Sequence, residues 1–278
     1  MKKTGLKKKL KNLSKIVHHK QVTPVPVLVS EERVLEGRVA LITGGTKGLG
    51  LEFARTFANC GCNVIVSGRD KDSLVKAEKE LGEHGKSLFL DATDIKSFET
   101  KVKEANMLFN QPVDILVNCA GVHNHHGFLN TDVEEYELIM KTNLEGMFFL
   151  SQAVANSMIK HKIKGHILNV SSSASLRPAS NTYQLSKWGV RGLTLGMADV
   201  LLPYGIIVNA IAPGPTATEM LIKDGDDSLY KHDSLIGRYE HPVEIANLAK
   251  IMVSDIGNMI VGDTVYVTGG SGVVSLHK

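Results

Sequence analysis

Tyr183 and Lys187 carry the side chains in this 278-residue chain whose types and spacing point most directly to chemistry. They stand four apart, so on a helix both project from one face. A free phenol titrates near ~10 and parts with its proton reluctantly at neutral pH. A nearby ammonium stabilises the phenolate and lowers that value. Such a pair can pass a proton to or from an oxygen atom. On its own the spacing describes any amphipathic helix, so its surroundings must decide. Trp188, Val190, Leu193 and Leu195 continue the run in helix-compatible residues, which predicts a helix over 183–202.

A second chemistry lies in Gly44-Gly-Thr-Lys-Gly-Leu-Gly50. The apolar run 38–43 before it reads as a buried parallel strand. Residues 51–59 after it read as a helix with Phe53, Ala54, Phe57 and Ala58 inward. Strand, glycine turn and helix form the setting in which a dinucleotide is held. Gly44 permits the turn, Gly48 lets backbone approach a pyrophosphate, and Gly50 allows close helix–strand contact. The helix start offers free N–H groups and a positive dipole to the phosphates. The next strand is expected over 63–67, followed by Gly68 and Arg69. An NAD site places Asp or Glu at this strand end to hold the ribose 2′-hydroxyl. Gly68 offers no carboxylate to repel a 2′-phosphate, and Arg69 offers a rigid fork of donors. Lys47 adds a second cation and Thr46 a hydroxyl. The reading is NADP(H) in preference to NAD(H), with Asp70 beside Arg69 opposing it.

Further motifs follow in order: Asn118-Cys-Ala-Gly121, Asn143 within Lys-Thr-Asn-Leu, Val170-Ser-Ser-Ser173, Tyr183-Gln-Leu-Ser-Lys187, Ala212-Pro-Gly-Pro-Thr-Ala-Thr218 and Val267-Thr-Gly-Gly270. With Thr43 and the Gly-x-x-x-Gly-x-Gly turn, this ordered set over residues 36–272 resembles the short-chain dehydrogenase/reductase family. The resemblance implies a ketone or secondary-alcohol oxidoreductase, similar to 3-oxoacyl-carrier-protein reductases and to sugar and polyol dehydrogenases. It implies Tyr183 as acid/base, with Lys187 also binding the nicotinamide ribose, Asn143 holding a relay water through local backbone, and Ser172 polarising the carbonyl. Ser172 precedes Tyr183 by fewer residues than is common in the family, so Ser171 and Ser173 stay open as alternatives. It further implies cofactor contacts at Leu49, Asp91 (to the adenine amine), Ala92, Asn118, Ala120, Gly121, Pro213, Gly214, Thr216 and Thr218. Cys119 departs from the family, where a second asparagine is usual. Residues 216–238 correspond to its substrate-covering segment.

His123, His125 and His126 crowd the loop after Gly121. One short loop is awkward for tetrahedral ligation and no acidic residue adjoins it in sequence, so no metal is expected. His123, Asn124 and His125 read instead as donors to a hydroxylated substrate. No Gly-x-Ser-x-Gly elbow surrounds a serine, which argues against a serine hydrolase.

Alternating strand and helix signals give an α/β domain over 35–278: a doubly wound parallel sheet, by resemblance a Rossmann fold of about seven strands with helices on both faces. Residues 1–34 read as a basic extension and linker. Residues 1–20 hold eight lysines and no acid, leaving 24 Lys+Arg against 29 Asp+Glu, a net charge of −5, elsewhere. The acidic body argues against nucleic acid. Leu6, Leu10, Leu13, Ile16 and Val17 repeat at helical spacing among the lysines. That segment carries three readings: a loosely docked extension, weak contact with an anionic membrane surface, or docking on a partner. Lysines interrupt any secretory leader, and no stretch reaches the roughly 18 apolar residues of a membrane span. Three cysteines, Cys60, Cys62 and Cys119, without a paired framework suggest reduced thiols and a cytoplasmic setting. Helices over 140–160 and 183–202 pair subunits in many relatives, implying a homotetramer or homodimer. The competing reading is a catalytically silent NADP-binding scaffold tethered by its basic N-terminus.

Overall fold

Apolar runs too short and too β-branched for helices become strands buried on both faces. In the computed structural model of the chain, every residue of Val39–Thr43, Ile115–Asn118 and His166–Val170 is buried, as parallel strands covered by helices must be. The structure describes residues 33–124, 126–218 and 234–274. The expected basic helix within residues 1–20 lies outside them, as does most of the expected substrate-covering segment.

The elements run β1 (Val39–Thr43), α1 (Gly48–Asn59), β2 (Asn63–Gly68), α2 (Lys71–Leu81), β3 (Gly85–Phe89) and α3 (Phe98–Leu108). They continue with β4 (Ile115–Asn118), α4 (Val133–Met140), a π-helical turn (Lys141–Glu145), α5 (Gly146–His161), β5 (His166–Val170), α6 (Thr182–Leu201), β6 (Ile207–Pro213), α7 (Pro242–Met252) and β7 (Thr264–Val267). All seven strands are parallel, in the order β3-β2-β1-β4-β5-β6-β7. The order reverses between β1 and β4, which is where an open α/β sheet leaves a crevice at its strand ends. Phe53, Phe57, Leu81 and Ile245 place α1, α2 and α7 on one face. Phe98, Val102, Leu150, Met158 and Leu201 place α3, α5 and α6 on the other. Leu35 is fully buried and opens the packed region.

Three bounds differ from the sequence reading. α1 starts at Gly48, not 51, because helical hydrogen bonding reaches back into the glycine turn, with Leu51 N donating to the Lys47 carbonyl at 3.2 Å. β4 starts at Ile115, two residues into the apolar run 113–117, and Asp114 just before it keeps backbone bonds to Val39 and His166 while its carboxylate meets Arg38 and the Val39 N–H. The helix expected over 140–160 carries a π turn at Lys141–Glu145. A Cβ on Gly146 would lie 1.9 Å from the Ala92 carbonyl oxygen, so glycine there lets the β3–α3 connection close onto α5.

The strand starts carry a polar cluster of their own. Arg38 Nε donates to Asp114 Oδ2 at 2.6 Å, and its other arm meets His166 Nδ1 at 3.2 Å. A guanidinium only donates, so Nδ1 accepts and Nε2 carries the proton, facing Asn258 Oδ1 at 3.1 Å. Burial, with Arg38 adding to it, pushes His166 down to about 4, and burial raises Asp114 against the pull of Arg38.

Candidate active site

The strand ends gather what the sequence predicted in fragments. Gly48 adopts φ +52°, and a Cβ on Gly50 would lie 2.2 Å from the Gly44 carbonyl oxygen. Glycine at both places is what allows the turn to fold back on α1. Asp70, Asp132, Asn181 and His241 cap α2, α4, α6 and α7, whereas α1 has no side-chain cap. Its first N–H groups therefore remain donors for a ligand. Leu49 turns its side chain to the core, leaving its backbone for that task. Gly44 lies against Ala120, and Thr218 sits over Gly48, with Thr218 Cβ 3.7 Å from where a Cβ on Gly48 would be. An open cleft of about 310 Å³ runs past Thr46, Lys47, Gly48, Ala217 and Thr218. Uncapped donors beside a glycine cradle fit the pyrophosphate of a dinucleotide. Thr43 fastens this turn to the next strand end by accepting from the Cys119 and Ala120 N–H groups, both at 3.0 Å.

Gly68 ends β2 next to Thr46. Asp70, which the sequence set against Arg69, accepts from the Ser73 N–H at 2.8 Å as the cap of α2. Arg69 lies 3.8 Å from Asp91. Burial alone would raise the Asp91 carboxyl, but the Thr93 N–H and hydroxyl, with Arg69, outweigh it and hold it low. Asn118 Nδ2 donates to Ser151 Oγ and Asn169 Oδ1, both at 2.9 Å. Its amide ties β4 to β5 and α5. Ala92 presses its carbonyl on Gly146.

Asn181 caps α6, so the helix begins just before Tyr183. Tyr183 and Lys187 share a face, with Lys187 Nζ 5.6 Å from the centre of the Tyr183 ring. Nζ donates to the Val170 carbonyl at 2.8 Å, and burial pushes this ammonium down to about 8 against the opposing pull of Cys119. Burial works against the expected acidification of the phenol. Burial raises Tyr183, and the Ser172 hydroxyl hydrogen-bonded to it lowers it in part. The reason is that a buried phenolate loses its water shell while the ammonium is engaged by a backbone carbonyl.

The three serines separate by partner. Ser171 Oγ turns inward to Ser175 Oγ (3.4 Å) and the Lys187 carbonyl (3.3 Å), and Ser173 is buried in a short 3₁₀ turn. Ser172 meets Tyr183 and accepts from the Ala174 N–H at 3.1 Å. Asn143 is fully buried in the π turn; it accepts from the Val122 N–H (2.8 Å) and donates to the Val122 carbonyl (2.9 Å) and Ser186 Oγ (3.2 Å). Gly121 lies opposite Asn143 and Lys187.

His123 lays its ring on Tyr183, with centroids 4.4 Å apart. His126 meets the Glu135 carboxylate of α4 at 3.1 Å. His125 lies outside the described residues. No three His, Cys, Asp or Glu side chains converge as metal ligands among the described residues.

Sequence reasoning missed Ser186, which steadies Asn143, and Glu240, on which the Pro213–Thr218 loop rests. Gly214 N donates to Glu240 Oε2 at 3.0 Å, and Thr216 bridges to Glu240 in parallel. No local spacing marks a contact across more than twenty residues.

The family profile described as short chain dehydrogenase matches residues 38–228. The 3-oxoacyl-(acyl-carrier-protein) reductase FabG of Aquifex aeolicus (strain VF5) is 31% identical over 243 residues, covering 85% of this chain and 98% of the relative. Galactitol 2-dehydrogenase (L-tagatose-forming) of Cereibacter sphaeroides is 34% identical over 245 residues, covering 85% and 95%. Among solved structures, a gluconate 5-dehydrogenase from Burkholderia cenocepacia J2315 in complex with NADP and tartrate superposes with TM-score 0.80 at 29% identity, covering 88% of this chain and 99% of that one.

Proposed function

This chain belongs to the short-chain dehydrogenase family and is a nicotinamide-dependent oxidoreductase of CH–OH and C=O groups; from that premise we propose that it reduces a ketone to a secondary alcohol, or the reverse, with NADP(H) and with Tyr183 as the proton donor. The observation that carries the cofactor choice is the end of β2. Gly68 supplies no carboxylate, Arg69 and Lys47 supply charge, and Asp70 is committed to its cap.

NADPH supplies the hydride when bound. The N–H groups at Gly48, Leu49 and Gly50 bind its pyrophosphate, and Thr46, Lys47 and Arg69 its 2′-phosphate. Pro213, Gly214, Thr216 and Thr218 line the nicotinamide side. Ser172 holds the substrate oxygen beside the Tyr183 hydroxyl, which gives it a proton. A phenol raised by burial stays protonated through neutral pH, which suits the reducing direction. Lys187 holds the nicotinamide ribose near Tyr183, and Asn143 keeps the Val122 backbone in place for a relay water.

Two substrate classes fit: a 3-oxoacyl thioester on a carrier, after the reductase relative, or a sugar or polyol, after the galactitol and gluconate relatives. His123 over Tyr183 and Asn124 beside it give a polar mouth for either carbonyl. Assembly as a homotetramer or homodimer is part of the proposal, supported by Phe148, Phe149, Leu185 and Leu195 remaining exposed on α5 and α6. A panel of 3-oxoacyl thioesters and ketoses, followed by NADPH and NADH absorbance, tests this reading. We expect consumption of NADPH with one class; tight NADPH binding without turnover of any carbonyl would mark a binding-only protein, and a clear NADH preference would remove the cofactor assignment.

A further inference from the structure

A carboxyl group lies almost fully buried under the loop that follows β6. Glu240 is 4% exposed. Its Oε2 accepts the Gly214 N–H at 3.0 Å, a donor shared with the Val267 carbonyl at 2.8 Å, and its backbone closes two more bonds: Ala217 N to the Glu240 carbonyl at 2.8 Å and Glu240 N to the Pro215 carbonyl at 2.9 Å. Oε1 is buried with no hydrogen-bond partner among the described residues. A Cβ on Gly214 would come within 2.4 Å of that oxygen, so the loop backbone lies directly on the carboxyl. A buried, half-satisfied carboxylate is costly, whereas the neutral acid is tolerated.

We propose that Glu240 is a positioning residue whose carboxyl locks the Gly214–Thr218 loop onto the sheet end, and that ionisation of this carboxyl loosens the lock. The functional weight of the lock rests on the reading of this loop as the nicotinamide-side wall of the cofactor site.

The surroundings fit a group that titrates in place. The loop presents the Gly214 N–H and the Thr216 hydroxyl and no charge. The β7 end presents Thr268, with Tyr266 further back bonded to Ser175. α7 presents His241 and Glu244, and the chain before Glu240 presents Arg238 and Tyr239. Arg238 is bonded to Glu244 through two contacts at 2.7 and 2.8 Å, so it reaches Glu240 only as a distant charge and not through a bond of its own. Burial pushes the carboxyl up to about 7; Glu244 adds to the rise, and the Gly214 N–H, the Thr216 hydroxyl and Arg238 oppose it. A raised acid favours the locked loop at low pH. The lock is complete below the ordinary carboxylate value, weakens as pH rises toward about 7, and changes no further above it.

The test is amide hydrogen exchange of the full chain, without cofactor, at about pH 5 and about pH 8, in wild type and Glu240→Gln, which mimics the neutral acid. After correction for intrinsic rates, protection at Gly214 and Ala217 should fall roughly 10–100-fold across this range in wild type and stay level in the glutamine variant. The wild-type series needs no variant to fold. A level wild-type profile, or the same fall in Glu240→Gln, overturns the proposal. A second arm titrates NADPH and NADH by dihydronicotinamide fluorescence. The wild-type Kd relative to that of Glu240→Gln should rise with pH by a similar factor. An exchange switch without any pH-dependent difference in binding upholds the lock and instead removes the loop from the cofactor site.

Discussion

The two ends of one parallel sheet are built from similar side chains and do different jobs. At the strand starts, Arg38, Asp114, His166 and Asn258 bond one another in a continuous set that also holds the Val39 N–H. At the strand ends, the α1 N–H groups lack a cap, the Ser172 and Tyr183 hydroxyls face each other, and Glu240 Oε1 has no partner among the described residues. A continuous network holds a fold together, while open donors and acceptors beside it can take a ligand. Burial moves pKa values at both ends, to about 4 for His166 and about 8 for Lys187. A perturbed group therefore marks function only where its partners leave room for another molecule.

Substitution at each end should break different properties. Lys187→Met removes the ammonium from the catalytic face. Turnover should drop by about 10³-fold and NADPH binding should weaken, while the urea midpoint stays near wild type or rises, because a buried charge is gone. Steady-state rates and a denaturation curve check this. Asp114→Asn acts in the opposite way. It breaks the Arg38 pair, and we expect a loss of roughly 3 kcal/mol in urea unfolding, with the folded fraction turning over normally.

The pH dependence separates the ends again. His166 has a folded value depressed from 6.5 to about 4, so protons favour the unfolded chain. Stability should fall by about 2–3 kcal/mol as pH drops from the ordinary histidine value to about 4. The raised Asp114 works against this loss. His166→Gln should flatten the curve in that window. The smallest effect belongs to the β2 end: Arg69→Ala should weaken NADPH about tenfold and leave NADH nearly unchanged, read from the two binding constants.

Local chemistry was legible in the sequence. The Tyr183–Lys187 spacing, the glycine turn and the apolar runs each report on a few neighbouring residues, and they led to the parallel sheet and to the residues at its ends. Contacts between distant segments were not legible. Nothing beside Asn118 in the chain announces its bonds to Ser151 and Asn169. The capping bond from Ser73 to Asp70 was not read from the sequence either. Glu240 was passed over because its loop lies more than twenty residues earlier. The phenol's acidity also depends on burial, which spacing does not measure.

The most direct test of the account removes one oxygen atom. Tyr183→Phe deletes the hydroxyl beside Ser172 and keeps the ring under His123. Stopped-flow NADPH binding and steady-state reduction are measured on the same preparation. The account predicts unchanged NADPH affinity with turnover reduced about 10³-fold. A phenylalanine variant that reduces the wild-type substrate at a comparable rate contradicts it.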